Sequence, residues 1–212
     1  MAFPFGEILW PPRCFFCDEV MKIGEGPVCS SCREKGLTGG KPRTRKGEFF
    51  TAAAAPFPYR DEASEAVVRL KRPDGAYLLK PAAAFVAETV RAEGWEPDVL
   101  TWIPLDLKRR LSRGFNRSEE LSKAVAGLLG VPAAGLLEKT RSTGKQGLLS
   151  EEERKANVFG AFRMKKGADA AGKTVLIVDD VITTGATASE AARILLSGGA
   201  EKVFAAALAM RD

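Results

Sequence analysis

The run VLIVDDVITTGAT, which spans Val175 to Thr187, says more about the fold than any other part of the sequence. Its first four residues are all apolar, and a strand that is apolar on both faces is typical of a parallel sheet covered by helices on both sides. Two acids, Asp179 and Asp180, follow at once, and a Thr-Thr-Gly turn comes next. Ligands of open α/β sheets bind at the carboxyl ends of the strands. The run therefore predicts a binding site at the edge of a parallel sheet.

The polar half of this run has the residue types that suit a phosphorylated sugar. The turn is expected to open onto a helix, whose free N–H groups and dipole attract a phosphate. Glycine lets the backbone approach that phosphate closely, and threonine hydroxyls add donors. Asp179 and Asp180 are poor phosphate ligands but good acceptors for two neighbouring hydroxyls, such as the cis diol of a ribose. The simpler alternative is a solvated turn, which does not account for so many polar groups at one strand end. The predicted phosphate loop consists of Thr183, Thr184, Gly185, Ala186 and Thr187.

Apolar periodicity along the rest of the chain alternates between strand and helix patterns, which predicts an α/β fold. Asn116 is predicted to cap a helix, with Glu119 completing a capping box and Gly130 ending the helix. The polar segment from Lys139 to Lys155 has no predicted element. The predicted strands are Phe49–Phe57, Val99–Ile103, Thr174–Val178 and Lys202–Ala209. The predicted helices are Asp61–Leu70, Tyr77–Glu93, Asn116–Leu129 and Ala188–Leu196.

All four cysteines lie in the first 32 residues, as two C-x2-C pairs separated by eleven residues: Cys14, Cys17, Cys29 and Cys32. Each pair can form a tight turn that presents two thiolates to one ion, and two such turns make a closed tetrahedral Zn²⁺ site. Four sulfur ligands leave no open position for a substrate, so the ion is expected to be structural. Two disulfides and an iron site are the alternatives, and the disulfides need an oxidising compartment.

A glycine-rich basic stretch, Gly36 to Glu48, follows the cysteines and is interpreted as a linker or mobile loop. We therefore expect a four-cysteine module and linker over residues 1–40 and a larger domain over residues 41–212.

The net charge of +5 favours an anionic ligand or partner. Because the chain has no histidine, any acid–base step must proceed without imidazole. Neither a signal peptide nor a membrane-spanning run is recognisable, so we expect a cytoplasmic protein without membrane insertion.

Three motifs in order resemble one family. The run Val175 to Thr187 resembles the PRPP-binding signature of type I phosphoribosyltransferases, where PRPP is 5-phosphoribosyl 1-pyrophosphate. The runs IPLDLKRRLSRGFNRSEELSKAVA and RSTGKQGLLSEEERKANVFGAF, together with the double C-x2-C module, resemble the ComF family, whose members are competence protein F-like homologues of these enzymes. The resemblance covers essentially the whole chain. It implies a type I phosphoribosyltransferase fold, with a Rossmann-like parallel sheet and an N-terminal zinc-binding module.

The family also implies roles for individual residues. Asp179 and Asp180 match the catalytic acids that hold the ribose hydroxyls of PRPP, and the loop from Thr183 to Thr187 matches its 5′-phosphate site. Mg²⁺ would accompany PRPP and bridge its pyrophosphate and ribose oxygens. One departure is Arg117, which stands where family members often have glutamine. The predicted pyrophosphate loop comprises Pro104, Leu105, Lys108, Arg109 and Arg113.

The sequence does not identify the acceptor, whose pocket we expect from Phe49 to Lys80 and the cysteine module. Three functions stay open at this point: phosphoribosyl transfer, a single-stranded-DNA-binding role in DNA uptake during natural transformation, and PRPP sensing without turnover.

The segment from Arg141 to Arg154 is interpreted as a lid or as a solvated loop. The sequence leaves a homo-oligomer open. The predicted DNA track comprises Lys41–Lys46, Lys108, Arg109, Arg110, Arg113 and Arg117, with Phe115 as the stacking residue.

Overall fold

The structure is a computed structural model that describes residues 11–22, 24–106, 114–143 and 150–211. Its strands are β1 (Arg43–Arg45), β2 (Ala52–Ala55), β3 (Phe57–Pro58), β4 (Val99–Trp102), β5 (Leu137–Lys139), β6 (Phe162–Met164), β7 (Thr174–Ile182) and β8 (Lys202–Met210). Its helices are α1 (Ser30–Glu34), α2 (Asp61–Leu70), α3 (Leu79–Ala92), α4 (Arg117–Leu129), α5 (Glu151–Val158) and α6 (Ala186–Ser197). A 3-10 helix, Pro73–Leu78, connects α2 to α3.

The main sheet has the order β1-β2-β8-β7-β4, and β3 pairs with β8 further along the same edge. Strands β2, β8, β7 and β4 are mutually parallel, whereas β1 is antiparallel to β2. The carboxyl ends of the parallel strands therefore meet at one edge, where β7 delivers the two acids. A separate hairpin, β5 with β6, is antiparallel.

The two faces of the sheet carry separate hydrophobic clusters, as the apolar strands predict. Leu176 and Val178 of β7 belong to the cluster formed with α2, α3 and α4, whereas Val175 and Ile177 belong to the cluster formed with α6. This alternation follows from the two-residue repeat of a strand. Because both faces are covered, the site at the carboxyl edge rests on a rigid base.

The cysteine segment shares the first of these clusters with the sheet domain. The Phe16 ring packs edge-on against Phe57, with 5.0 Å between ring centroids, and Phe57 packs in the same way on Phe85 at 4.9 Å. Phe15 also contacts Phe85, at 5.4 Å. The segment is thus joined to the larger part by a continuous core. The division near residue 40 remains a prediction.

The stretch predicted as a linker is partly a strand, because Arg43–Arg45 forms β1 at the sheet edge. The single strand predicted over Phe49–Phe57 is interrupted before Phe57 by Pro56, which has no N–H to contribute to a ladder. Helix α5 was not predicted, although Ser150 and Glu153 form a capping box at its start. The polar composition of α5 gives no apolar periodicity, which is the main helix signal in a sequence.

At the start of α4 the predicted cap is present in a different form. The Asn116 side chain accepts a hydrogen bond from the Ser118 N–H, and Gly130 adopts a left-handed conformation with φ 74° at the C-terminal end. Glu119, predicted to complete a capping box, instead accepts from the Lys123 ammonium one turn along the helix. Across the described ranges, no helix has both the length and the apolar character that crossing a membrane requires.

Candidate functional site

Asp179 and Asp180 lie in the last four residues of β7, at the carboxyl edge of the sheet. The Asp179 Oδ1 atom accepts hydrogen bonds from the Ser118 hydroxyl at 2.7 Å and from the Asp180 N–H at 2.8 Å. Ser118 sits in the first turn of α4, so the helix that follows β4 orients a carboxylate on β7. Burial raises the pKa of Asp179 to about 7, and the negative charge of Asp180 adds to the shift, against the opposing effect of the Ser118 hydrogen bond.

Asp180 has a cationic partner that the motif does not contain. The Lys71 Nζ atom lies 3.0 Å from Asp180 Oδ1, and it comes from the residue that follows α2. Burial opposes the charged form of Lys71, but the nearby carboxylate of Asp180 outweighs this effect and raises the pKa of the ammonium. The two adjacent acids are therefore held differently, one by a hydroxyl and one by a cation.

The loop after β7 has the conformation of an anion site at a helix start. Gly185 adopts φ 81° and forms the N-cap of α6, a conformation that residues with a Cβ rarely adopt. The Phe50 ring supports the loop from behind, because a Cβ built on Gly185 would meet its Cζ at 3.4 Å. The Arg45 guanidinium donates to the Thr183 carbonyl at 2.6 Å and to the Arg211 carbonyl at 2.8 Å. The stretch predicted as a mobile linker thus fixes the base of the loop.

The acids and the loop line one cavity of about 240 Å³. It also contains Tyr59 and Lys71, both within the stretch from Phe49 to Lys80 that was expected to contribute to the acceptor pocket. The cavity brings together Tyr59, Lys71, Asp179, Asp180, Val181, Ile182, Thr183, Gly185, Thr187 and Ala188. The predicted loop residues Thr184 and Ala186 instead line a larger cavity of about 520 Å³ on the other side of the loop.

Pro104 and Leu105 follow β4 at the same edge of the sheet. Trp102 at the end of β4 pairs with Val178, so the chain leaves β4 beside the two acids. The Asn116 side-chain amide donates to the Ile103 carbonyl at 3.1 Å and joins this loop to the start of α4. The remaining residues predicted for the pyrophosphate loop, Lys108, Arg109 and Arg113, lie outside the described ranges, as does Arg110 of the predicted DNA track.

Arg117, the residue that departs from the family pattern, is a structural cation. Its side chain is only 7% exposed and donates to the carbonyls of Leu70 at 2.7 Å and Arg72 at 2.7 Å, while also pairing with Glu120. Its guanidinium carbon lies 4.1 Å from the centroid of the Phe115 ring. The prediction that Arg117 contributes to a DNA track is therefore wrong, because its donors are already used inside the protein.

The four cysteines form a cluster that could hold a metal ion. Their sulfur atoms all lie within 4.8 Å of one another, and the Cys17 and Cys29 sulfurs are 3.7 Å apart. A tetrahedron with Zn–S bonds of about 2.3 Å has edges of about 3.8 Å, so this spacing fits a four-thiolate site. All four thiols are free of disulfides. Burial would raise the pKa of Cys14, but hydrogen bonds from the N–H groups of Cys29, Cys17 and Phe16 lower it to about 7.

Sequence reasoning missed the residues that hold the acids in place. Ser118 is 61 residues from Asp179 along the chain, and Lys71 is more distant still. Ser118 lies within a motif that carries the family resemblance, so its position was visible but its contact was not. Lys71 and Tyr59 belong to the stretch expected to contribute to the acceptor pocket, and nothing in their local pattern distinguishes them from surface residues.

Comparisons with known proteins agree with this geometry. Residues 111–212 match the phosphoribosyl transferase domain model. Over 108 residues, 50% of this chain and 47% of the relative, the sequence is 38% identical to DNA utilization protein YhgH of Escherichia coli (strain K12). Over 109 residues, 50% of this chain and 48% of the relative, it is 30% identical to Competence protein F of Haemophilus influenzae. The chain thus spans about half the length of the curated relatives it matches.

Among solved structures, the chain is similar to the glutamine PRPP amidotransferase from B. subtilis complexed with ADP and GMP. The identity is 24%, the match covers 62% of this chain and 27% of that one, and the TM-score is 0.43. The domain match and the parallel sheet confirm the predicted type I phosphoribosyltransferase fold with its four-cysteine segment. The relatives confirm the predicted resemblance to competence protein F.

Proposed function

Because the chain carries a phosphoribosyl transferase domain and is a homologue of the DNA utilization and competence F proteins, we propose that it binds PRPP with Mg²⁺ and transfers the phosphoribosyl group to an acceptor. The observation that carries this proposal is the single cavity that joins two adjacent acids to a helix-start loop. Phosphorylated ribose matches both halves of that cavity, since its phosphate suits the loop and its diol suits the acids.

In this proposal the 5′-phosphate lies at the loop from Thr183 to Thr187, near the free N–H groups in the first turn of α6. The carboxylates of Asp179 and Asp180 accept hydrogen bonds from the ribose hydroxyls. Pro104 and Leu105 form one side of the pyrophosphate site, and Lys108, Arg109 and Arg113 supply cations there. Transfer requires that pyrophosphate leave the anomeric carbon while positive charge develops on the ribose, so positioning and charge neutralisation matter more than a protein nucleophile.

Mg²⁺ fits this site as an ion carried by the ligand. Carboxylate oxygens are donors that Mg²⁺ accepts, but Ser118 already occupies one Asp179 oxygen and Lys71 occupies one Asp180 oxygen. The acids alone therefore do not make a cage. When bound with the ligand, Mg²⁺ would neutralise pyrophosphate charge, while Asp179 and Asp180 would orient the sugar.

The four-cysteine cluster, in this proposal, holds a structural Zn²⁺. The donor set consists of four sulfurs with tetrahedral spacing, and Zn²⁺ closes such sites without leaving a position for substrate. The Cys29 thiol also caps α1 by accepting from the Cys32 N–H at 3.5 Å, which is a favourable arrangement for a thiolate. The ion is thus assigned to folding the segment over residues 14–32.

Isothermal titration calorimetry with PRPP and Mg²⁺ tests the proposal. We expect saturable binding of PRPP at about one site per chain, because the cavity holds one phosphorylated ribose, and weaker binding of ribose 5-phosphate, which lacks the pyrophosphate. Incubation with a panel of bases and amines, followed by a pyrophosphate assay, then tests turnover. A wild-type protein that binds neither ligand contradicts the site assignment. Binding without pyrophosphate release favours a PRPP sensor over an enzyme.

The second candidate function is single-stranded DNA binding, which the names of the relatives and the larger cavity favour. That cavity, about 520 Å³, combines cations with aromatic rings beside the phosphate loop. Phe159 is 67% exposed, and the Arg193 guanidinium carbon lies 5.2 Å from its ring centroid. Lys46 and Arg211 have exposed side chains on the same cavity. Arg45 does not add a free cation, because it binds two carbonyls.

If this surface binds DNA, the affinity for a labelled single-stranded oligonucleotide is expected to fall steeply as salt rises, because counterions are released. The substitutions Lys46→Met and Arg211→Met together should reduce the slope of log affinity against log salt by about 1.4, or about 0.7 for each lost phosphate contact. Fluorescence anisotropy at several salt concentrations measures both slopes. Equal slopes for the variant and wild type exclude this cavity as the DNA surface.

A further inference from the structure

Lys71 stands out because it is the only cation that the described residues place in the 240 Å³ cavity. The phosphate loop lies at one end of that cavity, and the pair formed by Asp180 and Lys71 lies beside it. PRPP carries two separate anionic groups, its 5′-phosphate and its pyrophosphate. The loop provides for the first group only. Lys71 is a described cation placed to reach the second group, in addition to the cations proposed above at Lys108, Arg109 and Arg113.

The backbone on both sides of Lys71 is fixed by two arginines, the half-buried Arg69 and the buried Arg117. Arg69 donates through one Nη atom to the Phe15 carbonyl at 2.9 Å and to the Phe16 carbonyl at 2.5 Å, which attaches the end of α2 to the cysteine segment. Arg117 donates to the Leu70 and Arg72 carbonyls, which attaches the same turn to the start of α4. The main chain around Lys71 therefore cannot shift easily, whichever group its ammonium contacts.

The side chain of Lys71 is less restricted than its backbone. It is 36% exposed, whereas that of Asp180 is 15% exposed, so the lysine side chain borders solvent more than the acid does. Its flexible four-carbon stem and compact charge allow it to change partners without moving α2. The fixed backbone and the flexible stem together make an ammonium that can serve two anions in turn.

The contact with Asp180 also sets a requirement on ligand binding. Asp180 can accept from a ribose hydroxyl more fully once its oxygen is released by Lys71. A pyrophosphate carries more negative charge than one carboxylate, so it competes well for the ammonium at short range. Resting on the proposed function, we propose that the Lys71 ammonium separates from Asp180 and binds the pyrophosphate of PRPP directly. The Asp180 carboxylate then accepts a hydrogen bond from a ribose hydroxyl.

The variant Lys71→Met tests this assignment, because it keeps the stem and removes the charge. Calorimetry is done with two probes, PRPP with Mg²⁺ and ribose 5-phosphate, which has the same sugar and 5′-phosphate but no pyrophosphate. We expect the affinity for PRPP to fall at least about tenfold, the loss associated with one charged hydrogen bond. The affinity for ribose 5-phosphate should stay unchanged or rise, since Asp180 is then free of its partner.

Two further variants complete the design. Lys71→Arg restores a cation and should recover part of the lost PRPP affinity. Lys202→Met removes an exposed lysine at the first residue of β8, the end of the strand remote from the site, and should leave both affinities unchanged. Thermal unfolding of each variant, followed by circular dichroism, verifies that any change in affinity occurs in folded protein.

The possible results separate this assignment from the proposed function. A PRPP-specific loss in Lys71→Met supports direct contact with the pyrophosphate. An equal loss for both probes means that Lys71 only orients Asp180, and no loss means that it serves neither purpose. Either result overturns the assignment while PRPP binding by the wild type stands. A wild type that binds neither probe overturns the proposed function and this assignment together.

Discussion

The double substitution Asp179→Asn/Asp180→Asn is expected to weaken PRPP binding at least about a hundredfold, because a hydrogen bond to a charged group contributes about 1.5–3 kcal/mol and two carboxylate acceptors are replaced by weaker, neutral amides. Asparagine keeps the shape of each side chain, and its carbonyl oxygen can still accept from Ser118. Calorimetry with PRPP and Mg²⁺ measures the loss. Ribose 5-phosphate should show a loss of similar size, since the acids are assigned to the sugar and both probes share it.

Stability is expected to respond much less than affinity. Burial and the charge of Asp180 raise the pKa of Asp179, so the ionised form is already disfavoured at its position in the fold. Replacing it by a neutral group of the same shape removes that cost, which offsets the lost pair between Lys71 and Asp180. We therefore expect the thermal midpoint to remain within about 4 °C of the wild type, a change of about 1 kcal/mol for a chain of this size.

The matched control for this pair is Asp74→Asn/Asp169→Asn, which removes the same charge at two exposed acids. Asp74 pairs with Arg72 and Asp169 pairs with Lys173, and both carboxylates are about two-thirds exposed. PRPP affinity should not change in this control. If the control and the site variant bind equally well, the acids of β7 do not hold the sugar, and the site must be sought elsewhere.

The sequence predicted the local parts of the site because their signals are local. An all-apolar strand, two acids and a glycine at the start of a helix lie within thirteen residues, so β7, the loop and α6 follow from one short run. The same holds for the four cysteines, whose spacing alone implies that their sulfurs meet. The structure places these sulfurs within 4.8 Å of one another.

Contacts between distant segments could not be predicted in this way. A lysine after an amphipathic helix has the same local pattern whether it faces solvent or an acid, so Lys71 gave no signal. Arg45 and Arg117 were assigned to a DNA surface because a basic run is usually exposed, yet each binds main-chain carbonyls. Which cations find carbonyl acceptors depends on how helices and strands pack, and packing is not encoded in charge spacing.

The cysteine segment shows the same limit in its packing. The short segment with four cysteines was expected to be folded by a structural ion. In the structure it also contributes Phe15 and Phe16 to a cluster with Phe57 and Phe85. Phe57 lies on β3 and Phe85 lies on α3, both outside the cysteine segment. An ion held by this segment is therefore expected to influence the stability of the whole chain.

If the cysteine cluster holds the proposed Zn²⁺, removing that ion is expected to destabilise the entire protein in a single transition. The variant Cys14→Ser/Cys32→Ser replaces two cysteines that are both buried. Without the ion the segment loses the energy that folds it, and Phe15 and Phe16 lose their places in the shared core. Burying an aromatic side chain contributes about 1.5–3 kcal/mol, so two such losses predict a decrease in the free energy of unfolding of at least about 3 kcal/mol.

The measurements combine elemental analysis, thiol titration and calorimetric unfolding. Wild-type protein should contain about one zinc per chain and release four reactive thiols only when denatured with a chelator. Disulfides would leave no reactive thiols in the denatured chain, and an iron site would absorb visible light. Ser31→Ala, an exposed substitution between Cys29 and Cys32, is the control and should keep the metal. Metal-free wild type with four titratable thiols would contradict the assignment.

The shape of the unfolding curve decides how the segment is coupled to the rest of the chain. If the two parts form one cooperative unit, as their common aromatic cluster implies, the cysteine variant should unfold in one transition at a lower temperature. An independent module would instead give an unchanged main transition and lose only a small separate one. Arg69, two residues before Lys71 in the chain, donates to the Phe15 and Phe16 carbonyls of the cysteine segment. The segment is thus joined to the turn that carries Lys71. A chain that unfolds as one unit should therefore also lose PRPP affinity when the metal is removed.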